Sequence, residues 1–401
     1  MGERRAEGPS GFWAVAAALT VTMVGTTLPT PLYPALQRRL GFDDLTITVL
    51  FAIYAGGVLL ALVFLGRVSD LIGPRPVLMA GLGAAAFSAL AFLSGTGLTG
   101  LLIGRLLSGL SAGMVTGTAT VALAELAPPD RHGRATLVAT ASNTLGLACG
   151  PLLSGLLAAL GLFPLVAPFM VHLALVIVVG AGLWLAPELT SPRPMPTRAR
   201  SRFHIDWPTL PREVRPVFPA VAVGMFACFA MLGLVAAVEP AFLTRLLNVT
   251  NPLLSGGVVF AMFAGSALSQ VATRRLRAAS ALVAGCAIVL VAVFGFATAL
   301  FIGSAALIVF STIVIGIGQG LAFRAAVAIS SARSPSDERS GTMSSFFLVV
   351  YLGISVPVVA AGYAADATGL RTAGIGFTAA VAALLLTALI TTTRARIGEI
   401  Q

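Results

Sequence analysis

Two long stretches of this chain carry no charged side chain at all. Residues 135–187 and 278–323 contain no Asp, Glu, Lys or Arg. In a bilayer every backbone polar group must be satisfied within the protein, so an uncharged apolar stretch reads as spanning helix, about 20 residues per crossing. At 53 and 46 residues, each stretch holds two spans, folded at 161–164 and near 297–301. The same reasoning predicts twelve helices, over 12–36, 45–66, 75–95, 98–125, 133–158, 163–186, 215–243, 253–273, 279–300, 302–328, 340–364 and 370–393. Alternating ten-residue segments of the barrel type are absent, so the expected fold class is an all-α membrane protein. Composition agrees. Of 401 residues, 57% are hydrophobic and only 10% charged, against about 25% charged in a soluble domain. A cytosolic enzyme, a disordered scaffold and a secreted disulfide protein are all excluded.

The net charge is +10 and every basic residue is arginine. A basic excess can signal nucleic-acid binding. Here the arginines lie between apolar stretches, so they read as topology and no nucleic-acid partner is expected. With the N-terminus inside, 19 arginines fall on the cytoplasmic side and 4 outside (Arg38, Arg39, Arg245 and Arg371). Basic loops stay in the cytoplasm, which predicts cytoplasmic termini in a bacterial inner membrane. The apolar run 12–28 after Arg4 and Arg5 reads as an uncleaved first span. Cys149, Cys228 and Cys286 sit in apolar stretches, giving neither a disulfide framework nor metal-ligand spacing. There is no P-loop and no nucleophile–base pair, so neither cofactor nor enzyme is expected.

Residues 187–216 differ from the rest, with seven prolines and six arginines. The predicted division is an N-terminal six-helix bundle at 1–186, a linker at 187–214 and a C-terminal six-helix bundle at 215–401. The halves resemble each other. Tyr33-Pro34-Ala35-Leu36 with Arg39 matches Glu239-Pro240-Ala241-Phe242 with Arg245 at an offset of 206. An offset of 207 aligns Gly109 with Gly316, Gly113 with Gly320, Pro128 with Pro335, Asp130 with Asp337, Gly146 with Gly353 and Gly155 with Gly362. A duplicated bundle suggests a transporter with substrate at the repeat interface, near the bilayer midplane.

Three local motifs carry a family resemblance. Between spans 2 and 3, Gly66, Asp70, Gly73 and Arg75 match the pattern Gly-x-x-x-Asp-basic-x-Gly-basic-basic, while Leu71 and Pro74 depart from it. Span 4 reads Leu101-x-x-x-Arg105-x-x-Ser108-Gly109. Span 5 reads Gly146-x-x-x-Gly150-Pro151-x-x-Ser154-Gly155, close to Gly-x-x-x-Gly-Pro-x-x-Gly-Gly. Over essentially its full length the chain resembles the major facilitator superfamily, and within it the 12-helix drug–proton antiporter family. The resemblance implies two pseudo-symmetric six-helix bundles and alternating access.

It also implies roles. Asp70 would latch the halves by lying against the N-terminus of span 11; the alternative is a solvated charge beside Arg75. Glu125 would join that network. Arg105 would take part in proton transfer. An arginine inside a span costs at least ~2.5 kcal/mol and so faces the bundle interior; a structural bond to backbone carbonyls is the alternative. Gly146, Gly150, Pro151 and Gly155 would let span 5 approach its partner and seal a leak path. Glu239, before Pro240, would face its repeat mate Tyr33 across the outer gate and exchange protons, or else be a rim charge in water. Arg105 and Glu239 are thus the proton-coupling candidates. Tyr33, Tyr54, Asn143, Gln319 and Arg324 are candidate cavity groups, although Arg324 could equally snorkel. His172 is expected to be a core histidine. The expected function is proton-coupled export of amphiphilic small molecules or drugs by a monomer, its partners being that substrate, protons and the lipid bilayer. A facilitator-type importer or symporter of a sugar, amino acid or other metabolite is the alternative, and a transport-dead receptor is the alternative from another class.

Overall fold

The computed structural model describes residues 9–65, 68–127, 132–161, 163–186, 208–335 and 338–394. Their regular structure is helical, with no strand among the described residues. Twelve helices are long and apolar enough to span a bilayer, and we label them α1 to α12. They are Pro9–Thr27, Asp44–Leu65, Pro74–Leu93, Leu98–Leu126, His132–Ala159, Ala167–Leu185, Phe218–Ala241, Pro252–Ala272, Ala278–Ile302, Ala305–Arg333, Arg339–Thr368 and Leu370–Arg394. The ends follow local chemistry. Asn251 caps α8 through the Leu253 N–H and Ser304 caps α10 through the Leu307 N–H, as short polar side chains do at orphaned N–H groups. Gly303, at φ +74°, closes α9 in the left-handed conformation open to glycine.

Several spans run further than their apolar patterns suggested, α10 to Arg333 and α11 to Thr368 among them, and two do so through irregular turns. After Thr27 the first crossing continues through a 3₁₀ turn at Thr30–Leu32 and a helix at Tyr33–Leu40. After Ala241 the seventh continues through a π-helical turn at Phe242–Leu246. The expected end at 243 therefore lies inside the span, and Glu239 sits deeper than a rim position.

The contacts repeat. In the first half α1 packs on α4, α5 and α6, α2 on α4, and α3 on α4 and α6; in the second, α7 packs on α10, α11 and α12, α8 on α10, and α9 on α10 and α12. Glycines set the crossings. A Cβ on Gly109 would strike the Tyr54 carbonyl of α2, and one on its repeat mate Gly316 the Met262 carbonyl of α8. Gly146 meets the Thr20 carbonyl of α1 as Gly353 meets the Phe226 carbonyl of α7. Helix association in lipid depends on close van der Waals approach, which small residues permit. The matched glycines are thus the packing record of the duplication. The halves meet through α5 on α8 and α2 on α11.

Candidate functional site

Helix α5 shows why its glycine–proline pattern matters. Pro151 has no N–H, so the Leu147 carbonyl four residues earlier loses its helical donor. The Thr27 hydroxyl of α1 donates to that carbonyl instead, at 2.9 Å. Gly150 faces the same turn of α1: its Cβ would meet the Val24 carbonyl, the Thr27 hydroxyl and the Leu28 N–H. Gly155 turns elsewhere, and a Cβ there would lie 2.5 Å from the Pro252 carbonyl and 3.3 Å from the Gly256 Cα, both on α8. One motif therefore joins α5 to its own half through Gly146 and Gly150, and to the other half through Gly155.

Its counterpart is Gly362 of α11, which abuts Leu45 and Thr48 at the start of α2. Charged groups close that seam. The Asp366 carboxylate accepts the N–H groups of Asp44 and Leu45 at 3.2 and 3.1 Å. An anion at a helix N-terminus satisfies orphan donors and the dipole together. Asp44 in turn accepts both a Gln37 amide bond at 3.0 Å and an ion pair from Arg245. Asp43 caps α2 through the Thr46 N–H and hydroxyl, which hold its carboxyl below the usual value. This face, opposite the one where the described chain begins and ends, is closed by α5–α8 on one side and α2–α11 on the other. Asp44, Arg245 and Asp366 were not singled out as a site in the sequence, because they lie 201 and 322 positions apart.

Arg105 is 1% exposed. Its guanidinium donates to the Thr26 carbonyl at 2.6 Å and the Leu50 carbonyl at 3.3 Å. It lies over the rings of Phe51 and Tyr54, 4.8 and 4.7 Å from their centroids. Carbonyls and π-faces therefore meet its charge, and α1, α2 and α4 are tied together at one point. Glu239 is 0% exposed. Its Oε1 accepts from the Thr312 hydroxyl of α10 at 3.5 Å, and its Oε2 has no hydrogen-bond partner. Buried polar atoms are nearly always paired, so an orphan carboxyl oxygen calls for an explanation. No hydrogen bond or ion pair joins Arg105 to Glu239: their partners lie in opposite halves. The acid lies wholly inside the span, and the alternative of a rim charge in water does not hold.

The other candidates disperse. Tyr33 is buried, tilts against Phe51 and has an unpartnered hydroxyl. Gln319 is buried and accepts from Ser266 of α8. Asn143 is half-buried. Arg324 is half-buried; its Nη2 donates to the Leu276 carbonyl at 3.5 Å in the loop after α8, while its Nε is buried without a partner. His172 is buried against Gly25 of α1. Arg75 stands over the Trp184 ring at 5.0 Å, Gly73 has φ +87° before α3, and Glu125 is exposed at the end of α4. Gly66 and the Asp70 side chain lie outside the described residues, and so does most of the predicted linker.

A sequence model of the Major Facilitator Superfamily matches residues 15–358. The tetracycline resistance protein, class C, of Escherichia coli is 30% identical over 191 residues, 46% of this chain and 47% of that protein. An uncharacterized MFS-type transporter of Methanocaldococcus jannaschii is 28% identical over 137 residues, 34% of this chain and 36% of that protein. The chain thus matches less than half the length of either relative. Among solved structures, a bacterial homolog of the human lysosomal transporter Spinster, inward-facing and unoccupied, aligns with TM-score 0.73 at 18% identity, over 98% of this chain and 99% of that one. A POT family transporter in complex with 5-aminolevulinic acid aligns with TM-score 0.78 at 11% identity, over 98% and 97%. The nucleoside transporter NupG aligns with TM-score 0.72 at 14% identity, over 96% and 100%. Likenesses at such identities establish the fold.

Proposed function

The chain belongs to the Major Facilitator Superfamily, a multi-pass membrane transporter and not an enzyme, and from that premise we propose that it exports amphiphilic small molecules in exchange for protons. It does so as a monomer in a bacterial inner membrane, with both termini cytoplasmic. The bundles 1–186 and 215–401 rock about a midplane site, joined by the linker 187–214. The closed far face is then the outer face, sealed by Asp44, Arg245 and Asp366 and by the Gly155 contact with α8. Asp70, with Gly66, Gly73, Arg75 and Glu125, latches the opposite face when the rock reverses.

The observation that carries this reading is the Glu239 carboxyl, wholly buried in α7 with one oxygen unpartnered. A group whose partner is missing in one state of a rocking carrier is suited to take up a proton or lose it as the state changes. The α5 pattern supports antiport, because its glycines fit both a fixed and a movable contact. The likeness to a tetracycline resistance protein supports export and supplies a first probe. The test uses everted vesicles energised by a proton gradient, with tetracycline and ethidium as probes. Expected is uptake that collapses with the gradient and is lost in Glu239→Gln, while that variant still binds the probe. Full gradient-driven uptake in Glu239→Gln would remove this residue as the proton carrier. Flux in the opposite direction would favour a metabolite importer.

A further inference from the structure

Helices α3 and α6 enclose a groove of about 360 Å³ on the outside of the first half. Leu82, Gly83 and Ala86 of α3 face Val176, Gly180 and Trp184 of α6 across it. None of its lining side chains is charged. Two glycines give it depth. A Cβ on Gly83 would meet nothing within 4 Å, and one on Gly180 would only touch Leu82 at 3.9 Å. The two helices pack inward on α1, α4 and α5 of their own half, so the groove faces the bilayer.

One end of the groove carries a cation. The Arg75 guanidinium lies over the Trp184 ring, 5.0 Å from its centroid. Arg75 stands in the first turn of α3 and Trp184 in the last turn of α6, on the face where the described chain begins and ends. Trp184 is 63% exposed, which suits an indole at the level of lipid headgroups. From Arg75 to Ala86 is eleven residues, about 16 Å along a helix. The hydrocarbon of one leaflet is about 15 Å deep.

We propose that this groove binds a phospholipid of net negative charge, with its phosphate on Arg75 and one acyl chain lying along Gly83 and Gly180. A void on a lipid-facing surface forfeits van der Waals contact, so hydrocarbon fills the groove. A chain lodged there loses conformational freedom, and the headgroup contact offsets that loss. Stacking on Trp184 uses the π-face of the guanidinium. A phosphate is met by the planar edge, whose donors match two phosphate oxygens. An aminophospholipid would bring a second cation to the same place, so the headgroup selected has a phosphodiester and no amine. Assignment to the cytoplasmic leaflet rests on the topology proposed above; the site itself does not.

The experiment uses the full chain, purified in a mild detergent, titrated with phosphatidylglycerol or phosphatidylethanolamine and read by native mass spectrometry. Expected is one retained phosphatidylglycerol per chain, preferred about fivefold over phosphatidylethanolamine, the effect of one basic residue at an anionic lipid surface. Gly83→Leu puts a side chain into open space, so it should fold and lose the adduct of either lipid. Gly182→Leu is the matched control. Its Cβ also meets nothing within 4 Å, it lies outside the groove lining, and the adduct should persist. Arg75→Gln should keep a weaker adduct and erase the headgroup preference. Excess inorganic phosphate should not displace the lipid, because the acyl chain holds it. Equal retention in Gly83→Leu and Gly182→Leu, or displacement by phosphate, would overturn the groove as the site. A preference absent from the parent, or one that survives Arg75→Gln, would overturn the charged anchor. No readout needs the transported substrate, so failure here is distinguishable from failure of the export reading.

Discussion

Gly155→Ala and Gly146→Ala introduce the same steric conflict at two different seams. In each case the new Cβ stands 2.5 Å from a carbonyl oxygen, of Pro252 on α8 for Gly155 and of Thr20 on α1 for Gly146. Ordinary contact begins at 3.4 Å, so one helix must retreat by roughly 0.9 Å. Overpacking of that kind costs about 1–3 kcal/mol. Where the cost falls decides the phenotype. The α1–α5 seam lies within one half and in the proposed rocking cycle stays shut throughout, so Gly146→Ala should lose folding stability. In that cycle the α5–α8 seam exists only while the far face is closed, so Gly155→Ala should shift the equilibrium towards far-open, by about 5–150-fold. The reporter is a cysteine at Thr48, a position 0% exposed at the neighbouring α2–α11 seam, in a background with the three native cysteines replaced by Ser. A membrane-impermeant maleimide should label it much faster in Gly155→Ala. Gly146→Ala should leave labelling unchanged and lower the thermal midpoint. If both variants simply lose stability, or neither changes labelling, the assignment of the two halves of the motif to two different seams is wrong.

Three further outcomes follow from the same geometry. Asp44→Asn should speed far-side labelling about two- to fivefold, since the Arg245 side chain is 45% exposed and such pairs contribute about 0.5–1 kcal/mol; high salt should reduce the difference between variant and parent. Asp43→Ala should lower the stability of α2 by about 1 kcal/mol. Its folded carboxyl titrates below the usual value, so the penalty should be full at neutral pH and vanish as pH falls through that lowered value, read from thermal midpoints against pH. Arg105→Lys should lower the thermal midpoint and reduce transport together, because one ammonium cannot serve two carbonyls and two rings in a planar fork. Normal stability with lost transport would instead make Arg105 a direct participant in coupling.

The spans were legible because charge and apolarity divide a membrane chain almost residue by residue. The repeat was legible for a subtler reason. Gly109, Gly146 and their mates each touch a backbone carbonyl, and no larger residue can stand there, so the spacing of contacts is written into the spacing of glycines. Backbone acceptors leave no such trace. The Thr26 and Leu50 carbonyls that receive Arg105 are invisible in side-chain chemistry, so the sequence could offer carbonyl bonding only as the alternative to a role in proton transfer. The depth of Glu239 was hidden by Pro240, which reads as an ending. The helix instead absorbs the proline and widens into the turn at Phe242–Leu246. The far-face cluster was hidden by distance along the chain, and Asp44 looked like a second loop charge beside Asp43.

Placed on the repeat, the two buried ionisable groups stop being unrelated. Glu239 is the mate of Tyr33 at an offset of 206, and Arg105 is the mate of Thr312 at an offset of 207. In the second half the α7 residue, Glu239, is bonded to the α10 residue, Thr312. In the first half the α1-side residue, Tyr33, lies within electrostatic reach of the α4 residue, Arg105. The same pair of positions is therefore used twice, once with a carboxyl and a hydroxyl and once with a phenol and a guanidinium. The unpartnered atoms fall on the same member of each pair, the Tyr33 hydroxyl and Glu239 Oε2. A symmetric frame thus carries an acid at the α7 position of one half and a cation at the α4 position of the other, with no contact between them in this far-closed arrangement. A phenol keeps its proton across the physiological range, whereas a carboxyl can exchange one. Of the two equivalent positions, only the second can report a proton gradient, which is why coupling in the proposed cycle is assigned to α7 and α10 and stability to the Arg105 junction of α1, α2 and α4.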